Sequence, residues 1–308
     1  MEKSLSKKFF PYIALFIVNS IWALSAIVAK EAFTEINPYI LLFLRFSIAS
    51  IVFAPLILVK NKYEPIKLND LPRLILLSFL ISVLGGGCWV IGLSYTTATN
   101  AAIIASLGPV IATVLERLVL KKTHKKIAYI GTILGFVGAI LIILKPIIVH
   151  SQQSLEASSP FLYTFYGDFL IFLSAFGSAT YVILAHKRPD KLHSYQKTAL
   201  SFVVGSICFL PFFLFSHFNN PQWVYNVTEK GLIGILYFAI GCSALAYGLW
   251  QWAVEGVSAL ESTIFTYVEP LITIIAAIIF LKETLTIVGI IGGLLTIIGV
   301  FFVTIEQK

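Results

Sequence analysis

Long apolar stretches dominate the sequence and are separated by short polar segments. Each stretch has roughly 18 to 22 mostly apolar residues, the length that a helix needs to cross a hydrocarbon layer about 30 Å thick. Strands of a membrane barrel would alternate polar and apolar residues, and these stretches do not. We therefore predict an all-α integral membrane protein with ten transmembrane helices, at about 11–29, 39–59, 74–94, 99–120, 127–144, 166–185, 198–215, 231–253, 260–281 and 287–305.

Composition excludes a soluble domain. The chain is 58% hydrophobic and only 12% charged, with a mean hydropathy of +0.92, so 308 residues could not form a polar outer surface. Cys88, Cys208 and Cys242 lie within predicted spans without metal-ligand spacing, which predicts free thiols, no metal and no cofactor. The sequence has no Walker A and no Gly-x-Gly-x-x-Gly pattern, so nothing indicates ATP-driven pumping.

The chain contains an internal repeat. Residues 98–144 recur 161 positions later as 259–305, with Pro109 matching Pro270. The most informative matches are the proline, a shared Leu-Lys-x-Thr corner and two glycines seven residues apart, namely Leu120/Leu281, Lys121/Lys282, Thr123/Thr284, Gly131/Gly292 and Gly138/Gly299. We predict one repeat over 1–145 (helices 1–5), an external linker over 146–165, and a second repeat over 166–308 (helices 6–10).

Basic residues predict the orientation of the chain. If the N-terminus is cytoplasmic, most Lys and Arg residues fall in inner segments, and the outer segments carry only Lys30, Lys145, Lys230 and Lys282. With five spans per repeat, the two repeats are then inverted, and both termini lie on the cytoplasmic side of the inner (cytoplasmic) membrane. The net charge of +7 is explained by these loops facing an anionic leaflet, so we predict no nucleic-acid partner.

Several short motifs resemble those of a known family. They are Ile21-Trp22 with Lys30 in helix 1, Pro38 and Arg45 in helix 2, Pro109 in helix 4, Glu269-Pro270 in helix 9 and Leu281-Lys282-Glu283 at its end. Together with two inverted five-helix repeats, they resemble the EamA-type branch of the drug/metabolite transporter superfamily. The resemblance implies a proton-coupled or exchange-type carrier of small metabolites, often amino acids, with a central cavity between the repeats. In the first repeat, Gly108 stands where Glu269 stands in the second.

Glu269 is the strongest candidate for a coupling residue. A charged side chain near the middle of a span is costly, at least about 2.5 kcal/mol on insertion scales, and needs an explanation. Pro270 removes a backbone donor and predicts a local helix break, as do Pro109 in helix 4 and Gly86 within the glycine triplet of helix 3. Glu269 either takes up a proton or binds a cation, or it is satisfied by a neighbouring hydroxyl or cation and fixes helix packing.

Arg45 is the second charged candidate within a span. Its guanidinium group could bind a substrate carboxylate through two hydrogen bonds. Alternatively, it could reach the outer interface or pair with Glu35. Near span ends, we expect Glu116 and Arg117 to pair, Asp168 to occupy the N-terminal turn of helix 6, and Asn100 to cap helix 4.

Polar and aromatic side chains complete the candidate site. Asn19 and Trp22 share a face of helix 1, Trp89 follows the glycine triplet of helix 3, and Tyr247 lies on helix 8. Two Gly-x-x-x-Gly patterns, Gly131/Gly135 and Gly289/Gly293, predict close helix contacts. Those contacts could join helices 5 and 10, lie elsewhere in the chain, or form a homodimer.

These features favour a secondary transporter, not an enzyme, working by alternating access on amino acids or related amphiphiles. An exchanger of larger metabolites, such as S-adenosylmethionine or nucleotide-sugars, and a non-transporting membrane scaffold remain as alternatives. The five histidines lie in loops or at span ends, and no paired carboxylates form an enzyme-like cluster. The sequence leaves the substrate, the coupling ion and the direction of transport open.

Overall fold

The computed structural model describes residues 2–58, 65–150, 158–188, 192–257 and 265–306, and helices make up nearly all of them. Nine of the described helices are long and apolar enough to cross a membrane, and the apolar helix Val268–Phe280 is shorter. The prediction of an all-α membrane protein is therefore confirmed. We label the elements α1 (Glu2–Ala32), α2 (Pro38–Leu58), α3 (Leu71–Ser78, Phe79–Gly87 and Cys88–Tyr95), α4 (Ala98–Ala105 and Gly108–Val119), α5 (Lys126–His150), α6 (Ser158–Lys187), α7 (Ser194–Asn219), α8 (Glu229–Leu236, Tyr237–Leu245 and Ala246–Glu255), α9 (Val268–Phe280) and α10 (Ile287–Glu306).

Part of the predicted linker is helical. Of residues 146–165, the first five end α5 and those from Ser158 onward begin α6, whereas 151–157 lie outside the described residues. Both helices thus extend beyond their predicted apolar runs, α5 at its C-terminal end and α6 at its N-terminal end. The division of the sequence into repeats at 1–145 and 166–308 remains a prediction.

The repeated Leu-Lys-x-Thr corner has the same structure in both copies. Lys121 and Lys282 each have a positive φ of 56°, the left-handed conformation that ends many helices. Behind each lysine, the next backbone N–H returns to the last helical turn: Lys122 donates to the Glu116 carbonyl and Glu283 to the Ala277 carbonyl, both at 3.2 Å. Equal backbone geometry at equivalent positions is what an internal duplication predicts.

The third helix of each half contains a π-helical segment. Phe79–Gly87 in α3 and Tyr237–Leu245 in α8 each span nine residues. A π turn bonds residues five apart and leaves the helix locally wide, which is uncommon and often marks a functional position. Gly86 lies in the first of these segments.

Contacts divide the chain into two compact units. Unit 1 comprises Met1–Ser82 and Lys191–Ala276, and unit 2 comprises Val83–Asp190 and Ala277–Lys308. Each unit therefore combines segments from both halves of the sequence. Within unit 1, α1 packs on α8 and α2 on α7; within unit 2, α6 packs on α3 and α5 on α10.

The core of unit 1 between α2 and α7 is aromatic. The rings of Phe43 and Phe213 stack with centroids 4.3 Å apart, and Phe53 meets Phe202 edge to face at 5.3 Å. Such pairs add roughly 0.5–1.5 kcal/mol each beyond the area they bury. Arg45 of α2 is also buried in unit 1.

Glycines bring α5 and α10 of unit 2 into backbone contact. A Cβ atom on Gly131 would meet the Gly299 carbonyl oxygen at 2.6 Å, and one on Gly138 would meet that of Gly292 at 2.5 Å. The duplicated glycines thus pair crosswise. Of the predicted Gly-x-x-x-Gly patterns, Gly289/Gly293 does not form this contact. Gly293 instead lies against α4, where a Cβ would meet Ile103 Cδ1 at 3.2 Å, which is the contact elsewhere in the chain that the sequence left open.

Candidate functional site

Arg45 is buried inside unit 1 and held by α8. It is 8% exposed, and its Nε atom donates a hydrogen bond to the Ser243 hydroxyl at 3.0 Å. The guanidinium carbon lies 5.3 Å from the ring centroids of both Phe46 and Phe238, within cation–π range. Its Nη atoms form no hydrogen bond with any residue in the described ranges.

The alternative partner considered for Arg45 is wrong. Glu35 accepts hydrogen bonds from the Thr228 hydroxyl at 2.5 Å, the Thr228 backbone N–H at 3.0 Å and the Gly231 N–H at 3.0 Å. These bonds, above all the one from the Thr228 hydroxyl, hold the pKa of the Glu35 carboxyl below its ordinary value. Glu35 thus caps the start of α8, because a helix N-terminus offers unpaired N–H groups to a nearby carboxylate.

The π segment of α8 supplies the groups that hold its neighbours. The Ser243 hydroxyl donates to the Phe238 carbonyl, five residues earlier, at 2.9 Å, and the indole N–H of Trp22 donates to the Cys242 carbonyl at 3.1 Å. The widened turn therefore binds α2 through a side chain and α1 through a backbone carbonyl. Neither Ser243 nor Cys242 was among the predicted site residues, because a π segment has no clear sequence signature.

An aromatic cluster surrounds Trp22. Its ring centroid lies 5.4 Å from that of Tyr247 and 5.5 Å from that of Trp250, and Tyr247 meets Phe202 edge to face at 5.6 Å. The Tyr247 hydroxyl forms no hydrogen bond with the described residues. Two of the predicted aromatic residues, Trp22 and Tyr247, are thus in contact across α1 and α8.

Glu269 lies in the first turn of α9 and is partly buried. Within the described ranges, which omit 258–264, no residue forms an ion pair or a hydrogen bond with its carboxylate. Cys242 and Tyr247 each lie within electrostatic range of both Arg45 and Glu269. Arg45 and Glu269, whose carboxylate has no partner in the described part of unit 1, thus both lie near the same two side chains of α8.

The remaining predicted residues are distributed over both units. Asn19 is fully buried in unit 1, and its Nδ2 atom donates to the Leu15 carbonyl at 2.6 Å. Trp89 lies in unit 2, in the last part of α3. In α4, Ser106 and Leu107 interrupt the helix just before Gly108-Pro109, and Tyr267 forms a turn just before α9, which contains Pro270.

Unit 2 contains a buried carboxylate that was misplaced in the sequence-based prediction. Asp168 lies eleven residues into α6, not in its first turn, and is fully buried. It accepts hydrogen bonds from the Thr96 hydroxyl and from Asn100 Nδ2, the latter at 3.2 Å to Oδ2. Asn100 is therefore not the cap of α4; Thr97 is, since its side chain accepts the Asn100 N–H. The error arose because α6 begins earlier than its apolar run.

Two other acidic residues hold helix ends in unit 2. Glu283 accepts the backbone N–H groups of Ala98 and Thr99 at 2.7 and 2.9 Å, at the start of α4. Glu116 pairs with Lys122 at 3.1 Å, so the predicted pair with Arg117 is wrong. Both carboxylates are committed to structural contacts, which leaves Glu269 as the more suitable candidate for coupling.

Comparison with known proteins gives a consistent family. The model of the EamA-like transporter family matches residues 9–144 and again 165–305. An uncharacterized transporter of Archaeoglobus fulgidus is 30% identical over 296 residues, covering 96% of this chain and 98% of that protein. The uncharacterized transporter YetK of Bacillus subtilis is 28% identical and covers 96% of this chain and 87% of its own length.

More distant proteins share the same full-length similarity. The WAT1-related protein At3g28080 of Arabidopsis thaliana is 24% identical, covering 92% of this chain and 85% of that protein. A protein crystal structure only 13% identical has the same fold, with a TM-score of 0.58 over 96% of this chain and 97% of that one. A repeated family match, full-length relatives and a helical membrane fold agree, and the chain is a membrane transporter of the EamA-like transporter family.

Proposed function

We propose that this transporter carries small amphiphilic metabolites bearing a carboxylate, amino acids or close relatives, by alternating access. The observation that carries the proposal is that Arg45 and Glu269 both lie near Cys242 of α8. Neither the Nη atoms of the buried Arg45 nor the Glu269 carboxylate has a hydrogen-bond partner among the described residues. A guanidinium group binds a carboxylate through two parallel hydrogen bonds. One such group suits a single carboxylate better than a doubly charged phosphate.

The aromatic cluster fits the apolar part of such a substrate. Trp22 and Tyr247 lie next to the groups that hold Arg45, since Trp22 bonds to Cys242 and Ser243 bonds to Arg45. Apolar and aromatic walls with a few polar groups are typical of small-molecule sites. On this proposal, Arg45 orients the carboxylate, and the aromatic rings contact the side chain of the substrate.

Glu269 is proposed as the coupling residue. A carboxylate without a cation or a hydrogen-bond donor in a membrane span is stabilised when it takes up a proton or binds a cationic group. Binding of a proton or a substrate amine would then change the charge of the site between its two states. Transport would accordingly be proton-coupled or an exchange of substrates, across the cytoplasmic membrane with both termini inside.

The test is counterflow in proteoliposomes with a panel of radiolabelled amino acids and related carboxylates. We expect exchange of at least one amino acid by the unmodified chain. We expect Glu269→Gln to retain exchange but to lose the dependence of uptake on an imposed pH gradient. Glu116→Gln, which neutralises a carboxylate already paired with Lys122, is the matched control. No exchange for any amino acid would refute the substrate class, and an unchanged pH dependence in Glu269→Gln would refute the coupling role.

A further inference from the structure

Asn19 carries a buried polar atom that has no hydrogen-bond partner among the described residues. The residue is fully buried, and its Oδ1 atom accepts no hydrogen bond, whereas its Nδ2 atom is committed to the Leu15 carbonyl at 2.6 Å. That bond fixes the amide plane and directs Oδ1 away from its own helix backbone. A buried acceptor without a donor costs roughly as much as a lost hydrogen bond, so it needs an explanation.

The missing donor is found by following the contact between α1 and α9 in unit 1. The rings of Tyr12 and Phe265 stack with centroids 5.6 Å apart, and further along both segments the Thr273 hydroxyl donates to the Ala23 carbonyl at 3.0 Å. The two contacts occur in the same order along both segments, so α1 and α9 run parallel. The bond between Thr273 and Ala23 sets their register at that point.

This register places Asn19 and Glu269 at the same level. Asn19 precedes Ala23 by four residues on α1, and Glu269 precedes Thr273 by four residues on α9. The Thr273 hydroxyl also donates to the Glu269 carbonyl at 3.0 Å, so these two residues are one helical turn apart. Four residues are about one turn, or about 6 Å, along either helix, so each pair shares one helix face. Along both segments, Asn19 and Glu269 therefore lie between the two contact points and about one turn before the Ala23–Thr273 bond.

Both groups at this level are acceptors. Asn19 Oδ1 has no donor, and the Glu269 carboxylate has no hydrogen bond or ion pair with the described residues. Two facing acceptors cannot bond to each other, but one proton on the carboxyl group would join them. We infer that Asn19 is a positioning residue for Glu269: its side-chain oxygen accepts the hydrogen bond that the Glu269 carboxyl group donates once it carries a proton.

The other ionisable groups near Glu269 do not replace this role. Arg45 on α2 is bonded to Ser243 and forms no ion pair with Glu269, and Cys242 and Tyr247 of α8 reach Glu269 only through longer-range electrostatic interaction. Tyr12 of α1 stacks on Phe265. The proton adds to one carboxylate oxygen, and no covalent bond changes in Asn19. Loss of the proton leaves two facing acceptors, which favours separation of α1 from α9 at this level.

The inference rests on the proposed coupling role of Glu269, and its test reads the carboxyl group directly. Infrared difference spectra of the full chain in phosphatidylglycerol–phosphatidylethanolamine vesicles are recorded against pH, and the protonated-carboxyl band absent from Glu269→Gln is followed. We expect Asn19→Leu to move the midpoint of this band to lower pH by roughly 0.5–1 unit, because the protonated form loses its acceptor. The control is Ser20→Ala, at the position next to Asn19, which removes a hydroxyl bonded to the Phe16 carbonyl. This variant should leave the midpoint unchanged. An unchanged midpoint in Asn19→Leu would overturn the inference.

A thermal double-mutant cycle tests the same bond without titration. The amide of Glu269→Gln presents a permanent N–H donor, so it should raise the unfolding temperature in detergent when Asn19 is present and not in an Asn19→Ala background. Equal effects in both backgrounds would refute the bond between Asn19 and residue 269. Because the cycle uses Asn19→Ala, it remains decisive if Asn19→Leu fails to fold. Failure of every counterflow assay would contradict the proposed function but would not move either readout.

Discussion

The Nε atom of Arg45 donates a hydrogen bond to the hydroxyl group of Ser243 at 3.0 Å, and that hydroxyl donates in turn to the Phe238 carbonyl at 2.9 Å. The cation of α2 is therefore fixed by the π-helical segment of α8. The bond uses only the Nε–H group of the guanidinium group. The π-helical segment of α8 thus orients the Arg45 side chain of α2.

Arg45→Lys should weaken substrate binding more than transport turnover. Lysine keeps the charge but loses both the bond to Ser243 and the two-pronged geometry, and a charge-assisted hydrogen bond contributes about 1.5–3 kcal/mol. We expect KM to rise about tenfold or more with a smaller change in kcat, measured by initial rates of amino-acid counterflow. Arg117→Lys, an exchange at an exposed position of α4, is the control. A KM equal to that of the unmodified chain would remove Arg45 from the binding site.

Gly138→Ala should destabilise unit 2. The added Cβ would lie 2.5 Å from the Gly292 carbonyl oxygen, so α5 and α10 must move apart. Forcing an extra methyl into a tight contact costs typically about 1–3 kcal/mol, and we expect the unfolding temperature in detergent to fall by several degrees. Gly108→Ala is the matched control, since a Cβ there meets no atom within 4 Å. Equal unfolding temperatures for the two variants would contradict the close contact.

Glu35→Gln should remove a pH-dependent contribution to stability. The Thr228 hydroxyl and the backbone N–H groups lower the pKa of Glu35 in the folded chain, so its stabilising contribution is complete above the unfolded pKa of about 4.3. It is lost as the pH falls from there through the lower folded pKa. The difference in unfolding temperature between the two chains should therefore be present at pH 7 and vanish in acid. Glu229→Gln, at an exposed neighbouring position, should not reproduce this pattern; a difference independent of pH would argue against the cap.

Asp168→Ala should destabilise the chain strongly. Removing the carboxylate leaves the buried Thr96 hydroxyl without its acceptor, at about 1–3 kcal/mol for an orphaned group, and leaves Asn100 Nδ2 only its longer contact with Thr96 Oγ1 at 3.4 Å. Because Asn100→Ala removes one of the same bonds, the double variant should be less destabilised than the sum of the single variants. Unfolding temperatures of the four chains in detergent measure this, and strict additivity would mean that the two side chains do not interact in solution.

Local chemistry explains which features could be predicted. The Lys121 and Lys282 corners depend on a few neighbouring residues, so the shared Leu-Lys-x-Thr motif correctly indicated a repeated structure. The position of Asp168 could not be read from hydropathy, because its helix continues into polar residues before the apolar run begins. The hydrogen-bond partner of Arg45 could not be predicted from the sequence either, since Ser243 is 198 residues away. Glu35, an opposite charge much nearer in sequence, was considered instead.

The sequence by itself determined that the chain is a helical membrane protein with a duplicated pattern, because the length of an apolar run and the identity of a corner are local properties. It also identified Arg45 and Glu269 as unusual charges within spans. Only the tertiary structure decided that the duplicated glycines pair crosswise, that α8 holds Arg45, and that Thr273 of α9 bonds to the Ala23 carbonyl of α1. Those relationships depend on how helices distant in sequence cross, and a pattern along one chain does not encode the crossing.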